Sequence, residues 1–162
     1  MSDGLAPGML MAKAARACAS ARALFNLNDV DGACNRAYYA IFDSARAALL
    51  ASGAPVQPDI GKTHSSLISA FGQHLVKNGP ISKEMGRLMK RAEEVRLVAD
   101  YKGDSVELAD AREMVEQAEI FVEAMRTTFM LDQKPLADGP ADPVEAIKFR
   151  MKQQGLAAKD LE

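Results

Sequence analysis

A chain of 162 residues, 48% of them hydrophobic, has room for one ordinary domain with a proper core and a short appendage. Aromatic content is only 6% and tryptophan is absent, so alanine, leucine and methionine dominate the apolar set, a mixture that suits close helix packing better than sheets. The formal charge of -2 excludes a bulk electrostatic drive toward nucleic acid or an anionic membrane, and leaves any RNA contact to a local basic patch.

The first residues lack the basic-then-apolar layout of a signal peptide, and no apolar run approaches a bilayer span, so a soluble protein is expected. Cys18 and Cys34 lie in alanine-rich helical patterns without CxxC spacing. They read as buried, reduced thiols in a cytoplasmic protein rather than as a disulfide or a metal site.

Leu10, Ala14, Ala17, Ala21 and Leu24 form a narrow apolar stripe that predicts a first helix, ending between Asn26 and Gly32, with Lys13, Arg16 and Arg22 on other faces. A second helix is predicted from about Val30 to Ser52, with Ala37, Ile41, Ala45 and Ala48 on one side and Gly53 and Pro55 closing it. After a glycine- and proline-rich loop to Lys62, Leu67, Ile68, Phe71 and Leu75 define a third helix that stops at Asn78-Gly79-Pro80.

Ser82 caps the fourth predicted helix, which carries Met85, Leu88, Met89, Ala92 and Val95 before Lys102-Gly103-Asp104 breaks it. Asp104 and Glu107 have capping-box spacing ahead of the fifth, whose stripe is Leu108, Ala111, Val115, Ala118, Val122, Met125 and Phe129. Met114 and Phe121 widen that stripe, so this longest helix is expected at the centre of a bundle, with a second subunit as another candidate contact. Residues 135–143 read as a linker, and Asp142, Pro143 and Glu145 open a last helix carrying Ile147 and Met151.

The chemistry concentrates at Arg96-Leu97-Val98-Ala99-Asp100-Tyr101, which puts a cation, a carboxylate and a phenol at a helix end, a set able to bind or cleave a phosphodiester. Taken alone, Arg96 reads first as a helix-end arginine that satisfies terminal carbonyls or pairs with Asp100, a preference the family match reverses, and the Tyr101 ring equally suits a cover over the bundle end. His64, beside Thr63 at the predicted start of the third helix, is positioned to approach an anion; His74 has no such setting. Arg87, Lys90, Arg91 and Glu93 read as a solvated face. Gly61-Lys62-Thr63 imitates the end of a phosphate-binding loop, but Val56 stands at the required first glycine and no strand precedes it.

With Asn35-Arg36-Ala37-Tyr38-Tyr39-Ala40-Ile41-Phe42 and Thr63-His64-Ser65, the Arg96 to Tyr101 segment resembles the prokaryotic HEPN domain over roughly residues 8–130. That domain is an all-helical module of toxin and antitoxin operons. The resemblance implies an all-α antiparallel bundle of about five helices over residues 1–134, with residues 135–162 as linker and helical tail. The segment from Asp142 to Leu156, with Lys159-Asp160-Leu161, resembles the opening of a HigA-type helix-turn-helix antitoxin. It stops before a recognition helix, so direct DNA reading is not expected.

In catalytic HEPN proteins an arginine is followed, after four to six residues, by a histidine, and two copies face each other across a dimer cleft to cut RNA without metal. Here Arg96 takes the arginine position and Tyr101 stands where the histidine is expected. Tyrosine, with a reference pKa of about 10, is the poorer base for attack by a 2′-hydroxyl.

The resemblance therefore implies a homodimeric toxin-like protein engaging RNA or a nucleotide, with weakened ribonuclease activity centred on Arg96, Tyr101 and Asp100. Asn35, Arg36 and His64 are the expected substrate-binding residues. No cofactor, metal or membrane is expected, and the implied partner is a cognate antitoxin or a minimal nucleotidyltransferase that modifies Tyr101. The alternative is a noncatalytic module that docks such a partner.

Overall fold

The computed structural model describes residues 6–57, 59–101 and 106–129, the side chains of 99–101 excepted. All of the regular structure there is helical: α1 (Pro7–Asn26), α2 (Val30–Ala51), α3 (His64–Ala70), α4 (Lys83–Tyr101) and α5 (Leu108–Phe129). The predicted all-α bundle is what the chain forms. The linker and tail from residue 135, and the HigA-like resemblance within them, lie outside the described residues.

Local chemistry explains the first corner. Leu27 closes α1 by donating its N–H to the Ala23 and Leu24 carbonyls, and Asn28 turns the chain with φ 67°, the left-handed conformation that asparagine tolerates better than most residues. Asp29 then caps α2 by accepting the Gly32 N–H at 2.9 Å. So short a connection makes α1 and α2 antiparallel neighbours, and Leu10, Met11, Ala14, Ala17 and Ala21 are buried along α1.

The central helix is α2, not α5 as the width of the α5 stripe suggested. α2 touches α1, α3, α4 and α5 and is buried nearly all round, from Ala33 to Leu49, while α5 is the same 22 residues long and buries only one face. Alanines 33, 37, 40, 45, 47 and 48 of α2 are fully buried, and their small side chains let neighbours approach from several directions. α5 buries Ala111, Met114, Val115, Ala118, Phe121, Val122 and Met125, but its first stripe residue, Leu108, is exposed.

Two boundaries differ from the sequence reading. The third helix leaves the α form at Phe71 and continues as a π-helix over Phe71–Lys77. Its buried residues Leu67, Phe71 and Leu75 recur every four, a repeat that overshoots the 3.6-residue α-turn and suits a wider one. α5 starts at Leu108 rather than directly after Asp104. Glu107 supplies its carbonyl to the Ala111 N–H, and the Val106 N–H is taken by Asp31 Oδ1 of α2 at 3.3 Å.

Ser82 accepts the Met85 N–H at 3.3 Å, the expected cap of α4. Across the bundle, Arg22 grips Glu119 with two hydrogen bonds of 2.7 and 3.1 Å, and the Phe71 and Phe121 rings meet at 5.5 Å. Neither cysteine is in a disulfide; Cys34 is buried and Cys18 half-buried. No helix among the described residues is long and apolar enough to cross a membrane.

Candidate functional site

Three helices bring their side chains to one point. Glu93 and Arg96, three residues apart on α4, share a face that turns inward. His64 is the first residue of α3, fixed there because the preceding Thr63 caps the helix through the Ser66 N–H at 3.3 Å. α2 contributes Tyr38, Tyr39 and Phe42. Tyr38 is fully buried and Tyr39 half-buried, so the doublet divides between core and margin as adjacent helical positions must.

Arg96 is only 7% exposed, and its guanidinium carbon lies 4.8 Å from the centroid of the Tyr38 ring. A cation over an aromatic face, away from water, holds its direction more firmly than at a surface. Its Nη2 is directed at His64 Nδ1, 3.4 Å away, and Glu93 Oε2 stands 3.9 Å from the same nitrogen. The imidazole is boxed in by Phe42 at 4.7 Å, Tyr38 at 5.3 Å and Tyr39 at 6.1 Å between ring centroids.

Burial, and then the Arg96 charge, pull the His64 pKa below its ordinary 6.5, against the opposing pull of Glu93. His64 is therefore neutral near pH 7. A guanidinium has only donors to offer, so Nδ1 is the acceptor and the ring proton sits on Nε2. The Tyr38 hydroxyl is pushed well above its usual pKa by burial and by Glu93, with Arg96 opposing, and stays a phenol.

Of the residues expected from sequence, the structure brings Arg96 and His64 into contact and places Arg36 at their margin. The Arg36 guanidinium lies 5.4 Å from the Tyr39 ring centroid and donates one hydrogen bond of 3.4 Å to Asn35 Oδ1. Asn35 is half-buried and accepts that bond. α4 continues through Asp100 and Tyr101, whose side chains lie outside the described residues.

Sequence reasoning passed over Glu93, assigned to a solvated face, and gave Tyr38 no role at the site beyond its place in the segment that carries the resemblance. The available signals were the three-residue spacing of Glu93 from Arg96 and the Tyr38-Tyr39 doublet. Among the described residues no three His, Cys, Asp or Glu side chains gather as a metal site would require.

Comparison with known proteins agrees with this architecture. A UPF0332 protein of Gloeobacter violaceus is 35% identical over 116 residues, 70% of this chain and 88% of that protein. A Methanocaldococcus jannaschii protein named "putative toxin" is 35% identical over 107 residues, 66% of this chain and 76% of its own length. A UPF0332 protein of Thermotoga maritima is 34% identical over 114 residues, 68% and 82% of the two chains. The HEPN domain pattern matches residues 8–128, and this chain belongs to the HEPN domain family.

Proposed function

We propose that the protein is the toxin-like member of a two-component toxin–antitoxin pair and that it engages RNA through the Arg96–His64 pair. The observation that carries this reading is the 3.4 Å approach of His64 Nδ1 to Arg96 Nη2. His64, distant in sequence, supplies beside Arg96 the imidazole that the motif position at Tyr101 lacks. The resemblance of the chain to a protein named as a toxin supports the role. So does the family's pattern of two copies facing one another, which would set two such pairs across one cytoplasmic cleft.

Cleavage by a 2′-hydroxyl requires a proton acceptor near the attacking oxygen and donors for the charge on the phosphorane. Arg96 and the His64 Nε2–H are both donors, suited to the second task. Deprotonating the 2′-hydroxyl at Nε2 needs the other tautomer, which gives up the Arg96 contact. Metal-independent cleavage is therefore slow, and Tyr101, with Asp100 beside it, is the residue assigned to the leaving group.

The same tautomer favours a second reading, a noncatalytic module that holds RNA or a nucleotide and docks a cognate antitoxin or minimal nucleotidyltransferase. On either reading residues 1–134 form the binding unit and residues 135–162 a tail available to the partner.

End-labelled RNA incubated with purified protein in EDTA separates the two. Cleavage that disappears in Arg96→Ala and drops in His64→Ala, with both variants folded by circular dichroism, supports the ribonuclease. RNA retention without cleavage, lost in Arg96→Ala, supports the binding module. A wild-type protein that neither cuts nor retains RNA refutes both.

A further inference from the structure

The His64 ring stands between two groups of opposite charge on α4. Arg96 Nη2 lies 3.4 Å from Nδ1, and Glu93 Oε2 lies 3.9 Å from the same atom. Phe42, Tyr38 and Tyr39 of α2 hold the ring, so the choice between the two groups is a choice of where the ring proton sits. With Nδ1 accepting from Arg96 the proton is on Nε2; with Nδ1–H donating to Glu93, Nε2 is bare.

Glu93 is unlike the other ion-paired glutamates among the described residues. Glu84, Glu113, Glu119 and Glu123 each face an arginine, and their side chains are 42% exposed or more. The Glu93 side chain is 26% exposed and faces a histidine. Sheltering a carboxylate is unfavourable unless a donor meets it, and Nδ1 stands within about 1 Å of hydrogen-bond distance. The carboxylate already pulls the His64 pKa upward against burial and Arg96, and adds to the upward push of burial on Tyr38, so it faces the inside of the cluster.

The Arg96 contact is long for a hydrogen bond, and its acceptor is neutral. A phosphate oxygen carries charge and makes a shorter bond to a guanidinium, about twice as strong. An RNA phosphate that reaches Arg96 therefore takes the Nη2 donor from the imidazole.

We infer that Glu93 is the positioning residue that arms His64: when an RNA phosphate draws the Arg96 donor off Nδ1, Glu93 accepts the Nδ1–H and the ring presents Nε2 as a proton acceptor. The inference rests on the RNA-engaging reading of the Arg96–His64 pair and adds its regulation, in that ligand binding itself selects the tautomer. Solvent water delivers a proton to Nδ1 and removes one from Nε2, so the ring stays neutral. In the cleavage step the 2′-oxygen bonds to phosphorus, its proton passes to Nε2, and the 5′-oxygen leaves with a proton from Tyr101. The imidazolium so formed keeps its Nδ1–H on Glu93, whose charge offsets it.

The test is proton–nitrogen NMR of the full chain with isotope-labelled histidine, in which a protonated and a bare ring nitrogen resonate far apart; His74→Gln identifies the His64 signals. The ligand is a single-stranded oligoribonucleotide with 2′-methoxy sugars, which cannot be cut. Free wild type should show Nε2–H, and the oligomer should move the proton to Nδ1. Arg96→Met without ligand should show Nδ1–H, since the competing donor is gone. Glu93→Met should bind the oligomer at least as tightly as wild type, a negative charge having been removed, and keep Nε2–H throughout. It should cut unmodified RNA in EDTA about a hundredfold more slowly, the lower end of what a placed general base supplies.

Wild type that binds the oligomer with the proton still on Nε2 overturns the hand-over and leaves the RNA reading standing. So does a Glu93→Met ring that moves its proton as wild type does and, should Glu93→Met fail to fold, an Nε2–H ring in Arg96→Met. A proton that moves in a protein that never cuts RNA refutes Nε2 as the base. Failure of wild type to bind the oligomer in a fluorescence-polarisation titration removes the RNA reading and the hand-over together.

Discussion

The stacking of Arg96 on Tyr38 is open to direct measurement through a double-mutant cycle of Arg96→Met and Tyr38→Leu. Methionine keeps much of the arginine stem and removes the charge, and leucine keeps apolar bulk and removes the ring. Because Tyr38 is fully buried and Arg96 is 7% exposed, with 4.8 Å between guanidinium carbon and ring centroid, the pair belongs at the desolvated end of the cation–π range. A coupling of about 2 kcal/mol follows. The four proteins would be unfolded in urea, and the coupling read as the stability change in the double variant minus the sum of the single changes. Residues that do not interact add to within about 0.5 kcal/mol. A coupling inside that bound would refute the stacked arrangement, and with it the account of why Arg96 points at His64.

Two further outcomes follow from the same geometry. His64 has a folded-state pKa below 6.5, so protons favour the unfolded chain: the stability contributed by the neutral ring is fully present above pH 6.5 and is lost as pH falls from there through the folded value. An NMR titration should show the His64 midpoint below 6.5 in wild type and raised in Arg96→Met, where burial alone is left to oppose the pull of Glu93; an unmoved midpoint contradicts the assignment. At the exit from the π-helix, a Cβ on Gly79 would lie 2.6 Å from the His74 carbonyl oxygen and 2.7 Å from Leu75 Cα, both backbone atoms that cannot swing aside. Gly79→Ala should cost about 1–3 kcal/mol, visible as a lower melting temperature, and wild-type melting would show that this turn has room to relax.

The helices were legible because each announces itself locally. Asn28, Thr63 and Ser82 act at helix ends through short-range hydrogen bonds or backbone preference, and the stripes of α1 and α2 follow the 3.6-residue repeat. What periodicity does not carry is rank within the bundle. A one-sided stripe as strong as that of α5 looks central, yet the helix at the centre is the one buried on more than one side, and the contrast between faces is as large in α2 as in α5. In α2 the burial of Asp43 and Ser44 among the alanines hides it further, Ser44 being satisfied by its own helix through the Ile41 carbonyl at 3.0 Å. The π-segment escaped because the four-residue repeat of Leu67, Phe71 and Leu75 departs from the 3.6-residue turn by too little, over so few residues, to separate a wider turn from an α-helical stripe.

The site was legible one residue at a time and not as a constellation. Arg96 stood out through its motif and His64 through its place after a cap, but 32 positions separate them in the chain, and only the packing of α3 and α4 against α2 makes them neighbours. This changes what the tyrosine at position 101 means. Judged along α4 alone, Tyr101 replaces a histidine that RNA cleavage needs, and the chain looks impaired. Judged across three helices, an imidazole is present, but Arg96 fixes its tautomer and Phe42, Tyr38 and Tyr39 enclose it. On the proposed ribonuclease reading, what limits the site is proton-transfer freedom and not a missing imidazole. On that reading, a substitution that loosens His64 from Arg96 should trade affinity for RNA against rate of cleavage, whereas Tyr101→His should raise the rate and leave the Arg96–His64 contact intact, both read from end-labelled RNA in EDTA.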